Sequence, residues 1–174
     1  MRDEFENFVR EHQNMVFSTA MRITNKSAEA EDISQQVFLQ AYRQFSKLKT
    51  HSNPGGWLRL AARNLSINYI KRYFKKWMFF DTVSDIPCEV ETAFQDFNDE
   101  SVFYNDTEKV KKVLDTLPFK SRVPLVLFYY ETLTYLEIAE KLNCSVAKIK
   151  TDIFRAKKLF IKQMGALRSD HDQK

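Results

Sequence analysis

The sequence predicts an all-α protein made of two small helical domains joined by an acidic linker, the second domain carrying a helix-turn-helix. Three observations lead there. The 174 residues are 44% hydrophobic with only 3 Gly and 4 Pro, a composition that suits ordered, mostly helical structure. From Asp81 to Glu108 the acids Asp81, Asp85, Glu89, Glu91, Asp96, Asp99, Glu100, Asp106 and Glu108 occur with no Lys or Arg among them. Near the C-terminus, two helix-start signals sit eleven residues apart, at Thr134 and Ser145, around a break at Asn143-Cys144.

The elements follow in order. From Asp3 to about Arg22, Phe5, Phe8, Val9, His12, Met15, Val16 and Thr19 line one side of an amphipathic helix, with Asp3 and Glu6 at capping-box spacing. His12 on that side is expected to be a core residue without chemistry. The turn Asn25-Lys26-Ser27 follows, and Ser27 is expected to cap the next helix, Ala28 to about Phe45. Glu29, Glu31 and Asp32 fall in its first turn, where the helix dipole favours negative charge. Ile33, Val37, Phe38, Ala41, Tyr42 and Phe45 form its apolar stripe. Asp32, Gln35, Gln36, Leu39 and Arg43 lie off it: a solvated face, or one that docks on a partner.

Residues 47–56 read as a basic, turn-rich loop. A helix is expected from about Trp57, with Leu60, Ala61, Leu65, Asn68 and Tyr69 at helical spacing and Asn64 beside the apolar side, where an amide needs a partner. Tyr69, Lys71, Arg72, Tyr73, Phe74, Lys75, Lys76, Trp77, Phe79 and Phe80 then interleave rings with cations. That pattern suits single-stranded nucleic acid, although some of the rings must belong to a core. Domain bounds follow as 1–80, a linker over 81–106, a second domain over 107–168 and a frayed tail over 169–174.

In the second domain, Val110, Val113, Leu114 and Leu117 mark a short helix ending at Pro118. Another runs from about Ser121 to Glu131, with Pro124 tolerated in its first turn. Thr134 and Glu137 form a capping box for a helix whose apolar face is Ile138, Ala139 and Leu142, Ala139 being small where two helices cross. Asn143 suits a left-handed helix end. Ser145 caps a last helix with Val146, Ile149, Ile153, Ala156 and Phe160 on its buried side. Its other side carries Lys148, Lys150, Thr151, Phe154, Arg155, Lys157 and Lys158, with Asp152 the one acid. A helix so charged fits the DNA major groove, where Arg and Lys address guanine edges and phosphates flank them.

Composition excludes several classes. Lys+Arg 27 against Asp+Glu 23 gives a net charge of +4, mildly basic. Cys88 and Cys144 are far apart, His12, His51 and His171 are scattered, and no Gly-rich phosphate loop or nucleophile motif appears. No metal, cofactor or catalytic site is therefore expected. No apolar run reaches a membrane span and the N-terminus lacks signal-peptide order, so a cytoplasmic protein without membrane insertion is expected.

The two halves together resemble the bacterial RNA polymerase sigma factors of the extracytoplasmic-function, sigma-70-like type. Residues 30–42, Ala-Glu-Asp-Ile-Ser-Gln-Gln-Val-Phe-Leu-Gln-Ala-Tyr, are similar to the family's polymerase-docking helix. Residues 57–72, Trp-Leu-Arg-Leu-Ala-Ala-Arg-Asn-Leu-Ser-Ile-Asn-Tyr-Ile-Lys-Arg, are similar to its promoter-melting segment, and 117–156 to its C-terminal helix-turn-helix. The resemblance implies a non-enzymatic factor that binds core RNA polymerase and directs promoter-specific initiation. Asp32, Gln35, Gln36, Leu39 and Arg43 would face the beta-prime clamp helices, with the C-terminal domain on the beta flap. Asn64, with the 47–56 loop, would capture a flipped base of the melted -10 element, with Asn68, Lys71 and Arg72 on that strand or the adjoining duplex. Lys150, Thr151, Phe154 and Arg155, together with Lys158 on the same face, would read the upstream -35 element, with Lys148 and Lys157 on phosphates. The linker would run through the polymerase toward the RNA exit path, and an anti-sigma partner would hold the factor inactive. The chain departs from the family pattern at Gln36, Ala147 and Asp152. An acid at Asp152 repels phosphate but accepts from cytosine, so an unusual upstream specificity is expected. The alternative reading is a stand-alone helix-turn-helix regulator of duplex DNA, which leaves the Asp32–Arg43 face without a role.

Overall fold

The computed structural model describes residues 2–80 and 107–169; the acidic segment expected over 81–106 and the tail over 170–174 lie outside the described residues. All regular structure among them is helical, and the chain divides into two compact units, Met1–Lys76 and Trp77–Lys174.

In the first unit, α1 (Arg2–Thr24) turns back through Asn25, which takes a left-handed φ of 56°, into α2 (Ser27–Arg43). Neither expected cap forms at these starts. Asp3 and Glu6 both lie inside α1, and Glu6 pairs with Arg2 at 3.3 Å. Lys26 holds the extended N-cap position of α2, while Ser27 sits in the first turn and donates to Glu31 Oε1 at 2.9 Å. α2 stops earlier than its apolar spacing suggests, at Arg43. Gln44 leaves helical geometry, and Phe45–Leu48 form a short helix of their own, α3, burying Phe45 and Leu48. Two residues of the expected 47–56 loop, Lys47 and Leu48, are thereby helical.

α4 (Pro54–Phe80) starts three residues earlier than expected. Pro54 occupies the first helical position, where its missing N–H costs nothing, and Asn53 Oδ1 accepts from the Gly56 N–H at 2.7 Å. The core joins α1, α2 and α4: Val16 and Ala20 meet Ala30, Ile33, Val37 and Ala41, closed by Leu48, Leu58 and Ala62. Its alanines let the helices approach closely. At one end Phe5 meets Phe45 and Tyr42 edge-on, with centroids 5.1 and 5.0 Å apart. His12 is half-buried, edge-on to Phe8 at 4.7 Å.

The second unit comprises α5 (Thr107–Thr116), α6 (Phe119–Tyr129), α7 (Tyr135–Leu142) and α8 (Val146–Ser169). Here α8 packs on each of the other three. Phe160 is its largest fully buried side chain, in a core with Val110, Leu125, Leu127, Ile138 and Ile149. α6 begins at Phe119, so Pro124 is its sixth residue rather than part of its first turn. Proline there removes the backbone bond to the Lys120 carbonyl. α6 ends at Tyr129, and Thr132 takes a left-handed φ of 52° in the turn before α7.

Candidate nucleic-acid interface

The helix-turn-helix is built from local signals. Thr134 Oγ1 accepts from the Glu137 N–H at 3.3 Å, and Glu137 Oε2 accepts from the Thr134 N–H at 2.8 Å, closing the capping box. Asn143 ends α7 with φ 57°, and the Cys144 N–H reaches the Ala139 carbonyl at 3.0 Å. Ser145 Oγ accepts from the Lys148 N–H at 3.2 Å and starts α8. These bonds fix the turn, and Ile138, Ala139, Leu142, Ile149, Ile153 and Ala156 bury the two facing stripes.

At 100° per residue, the direction opposite the buried stripe of α8 passes through Ala147, Thr151, Arg155, Lys158 and Lys162. Arg155, Lys158 and Lys162 are exposed, and Thr151 is partly so, its hydroxyl donating to the Ala147 carbonyl at 3.0 Å. Lys162 escaped the sequence reading, though it continues the same spacing of three and four residues. The other candidate cations are arranged against rings or an acid. Lys158 Nζ lies 4.5 Å from the Phe154 ring centroid, Lys157 Nζ 5.7 Å from that of Tyr129, and Lys150 Nζ 6.0 Å from that of Tyr135. Tyr135 stacks on Phe128 at 4.7 Å, and burial raises its phenol pKa. A cation over a ring is attracted by the ring quadrupole and loses little mobility when it then meets a phosphate. Lys148 pairs with Asp152 at 3.4 Å. Phe154, expected to face away from the core, is half-buried, as are Lys148 and Lys157.

In the first unit, the face of α4 turned away from the core carries Leu60, Asn64, Asn68 and Lys71 at spacings of three and four, with Arg72 beside them; all are exposed. This corrects two expectations. Leu60, 44% exposed, is not a core residue, and Asn64 points to solvent rather than into an apolar setting. Leu58, Ala62, Ser66, Ile67 and Ile70 bury the opposite side, the Ser66 hydroxyl donating to the Ala62 carbonyl at 2.7 Å. The side chains of the ring-and-cation run over 73–80 lie outside the described residues.

On α2, Asp32, Gln35, Gln36 and Arg43 are exposed, and Leu39 is 59% exposed. Tyr42, expected in the buried stripe, is 51% exposed. Leu39 and Tyr42 border an open groove of about 970 Å³ between α1 and α2, floored by Phe5, Val9, Phe17 and Phe38 and edged by Gln35. A strut ties the two candidate faces of this unit together: the Tyr69 hydroxyl of α4 donates to Glu29 Oε1 of α2 at 2.6 Å, with Lys26 Nζ 3.6 Å from the same oxygen. That hydrogen bond, aided by a backbone bond and Lys26, holds the Glu29 carboxyl below its ordinary pKa. Among the described residues, no group of three His, Cys, Asp or Glu is placed to hold a metal ion, and no helix is long and apolar enough to cross a membrane.

Residues 8–76 match the family model of sigma-70 region 2, and residues 107–160 match that of sigma-70 region 4. The extracytoplasmic-function RNA polymerase sigma factor SigW of Bacillus subtilis is 27% identical over 169 residues, spanning 93% of this chain and 89% of its own. The chain belongs to the extracytoplasmic-function sigma factors. The sigma factor YlaC of Bacillus subtilis is 25% identical to it, covering 97% of this chain and 96% of its own. RNA polymerase sigma-H factor of Pseudomonas aeruginosa is 25% identical over 94% of this chain and 87% of its own. A solved structure of the sigma factor RpoE from Bartonella quintana, in complex with the anti-sigma factor NepR, is 19% identical with a TM-score of 0.48, covering 93% of this chain and 97% of that one. This sigma factor is a transcription initiation factor that works with RNA polymerase on promoter DNA.

Proposed function

We propose a division of labour among three faces of this sigma factor. The outward face of α8 reads the upstream promoter element. Thr151 and Arg155 address base edges, Phe154 and Lys158 border them, and Lys150 and Lys157, ordered over Tyr135 and Tyr129, meet the phosphates. The outward row of α4 handles the melted element. Asn64 offers both a donor and an acceptor to a flipped base, while Asn68, Lys71 and Arg72 follow the strand. The α2 face, Asp32, Gln35, Gln36, Leu39 and Arg43, docks on the clamp helices of the beta-prime subunit, and the groove beside it takes apolar side chains of that partner. The C-terminal unit sits on the beta flap. The protein itself catalyses nothing, since bond formation belongs to the polymerase, and it acts in the cytoplasm under an anti-sigma partner.

The observation that carries this reading is the outward row of α4. It sets two solvated amides and two cations in line on a rigid helix, and a strut joins that helix to the proposed docking helix. A hydrogen-bonding side chain that needs no partner inside the fold is available to a base. The test is run-off transcription by bacterial core polymerase on a pool of promoter fragments, with and without the protein. Initiation from a discrete subset only in its presence is expected, and Asn64→Ala should abolish opening at those promoters while core binding persists. Duplex binding that is independent of core, with no stimulated initiation, would establish the stand-alone regulator instead.

A further inference from the structure

On the upstream-facing helix, Lys148 is held by an acid of its own helix. Lys148 Nζ lies 3.4 Å from Asp152 Oδ2, and the two side chains are only 31% and 15% exposed, whereas Arg155 stands in solvent. The Asp152 Oδ2 atom is shielded from water. Both charges act on the half-buried Cys144 thiol, which places the pair against the turn that joins α7 to α8. Helix electrostatics alone would not hold it. Lys148 is in the first turn of α8, where the positive end of the dipole disfavours a cation, and Lys preceding Asp is the weaker order for a four-residue pair. Shielding from water is what strengthens the attraction.

We propose that Asp152 is a positioning residue that holds Lys148 away from the DNA backbone and so limits sequence-independent binding. The proposal rests on reading α8 as the recognition helix. The N-terminal part of such a helix enters the major groove, and an unpaired lysine there engages phosphate on any sequence. Each phosphate neutralised steepens the fall of log affinity with log salt by about 0.9. Pairing Lys148 internally removes that contribution and leaves Thr151 and Arg155 to discriminate between sequences.

The test uses holoenzyme assembled from core polymerase and the full chain, titrated on a cognate promoter duplex and on a random duplex across about 50–200 mM salt. Asp152→Asn should tighten random-duplex binding and steepen its salt slope by about 0.9, which is about 3.5-fold more affinity lost over that range. Asp152→Glu, which keeps the pair, should retain the shallow slope. Adding Lys148→Gln to Asp152→Asn should return the slope to the wild-type value if the effect passes through Lys148. Equal slopes for wild type and a natively helical Asp152→Asn, or a steeper slope that persists in the double variant, would overturn the proposal. Failure of the wild-type holoenzyme to prefer any promoter would overturn the recognition-helix reading beneath it.

Discussion

Replacing Arg155 with alanine separates reading from folding. Arg155 is exposed in the middle of α8, and no hydrogen bond or ion pair holds it among the described residues. Its neighbours along the buried stripe, Ile153, Ala156 and Phe160, are untouched by its removal. Alanine is the strongest helix former, so the unfolding free energy should stay within about 0.5 kcal/mol of wild type. Promoter affinity should behave differently. A lost base contact from an arginine costs about 1–3 kcal/mol, which is about 5- to 140-fold in the holoenzyme dissociation constant. The assay is a competition titration of holoenzyme on promoter duplexes varied one position at a time in the upstream element, with urea unfolding of the free protein alongside. A base-reading Arg155 predicts that preference collapses at one position and persists at the others. A phosphate-binding Arg155 predicts uniform weakening with a salt slope shallower by about 0.9. Unchanged affinity and preference, with native stability, would refute its place on the reading face.

Three further outcomes are expected. Asp32→Lys reverses a charge on the exposed face of α2, so core association measured by co-elution should weaken about tenfold or more with helicity intact, and full binding by a folded variant would sink that docking face. Thr134→Ala removes the acceptor for the Glu137 N–H in an exposed capping box and should cost about 1 kcal/mol, lowering the urea midpoint of the second unit by about 0.5–1 M, with Thr134→Ser close to wild type. Burial, with Asp152 adding to it, pushes the Cys144 thiol up to about 11, so at pH 8 its alkylation, followed on the Cys144 peptide, should run about two orders of magnitude below that of an exposed cysteine. The sign for stability follows from the raised value: the contribution of the neutral thiol is intact below its ordinary pKa near 9 and is lost as pH climbs toward 11.

The helix-turn-helix was legible in the chain because its determinants are local. Thr134 and Glu137 are three residues apart, Asn143 needs only its own left-handed backbone, and Ser145 reaches an N–H one turn ahead. Caps that depended on competitors were not legible. Glu6 is taken by Arg2, and the Ser27 hydroxyl by Glu31, so neither serves the helix start that its spacing suggested. On α4 apolar residues occur all round: Trp57, Leu58, Leu60, Ala61, Ala62, Leu65 and Ile67 leave no single period to choose a buried face. The choice fell to the packing of Leu58 and Ala62 on α1 and α2, which turned Leu60 and Asn64 outward.

By itself, then, the sequence determined an all-helical chain in two parts with a basic last helix, because helix periodicity, caps and charge runs act over a few residues. Only the tertiary structure decided which cations stand free and which are held. Tyr129 and Tyr135 come to Lys157 and Lys150 from two other helices, and Tyr69 reaches Glu29 across forty residues of chain. Such contacts depend on where helices cross, and crossing is settled by the complementarity of small and large residues over the whole core, which no local spacing encodes.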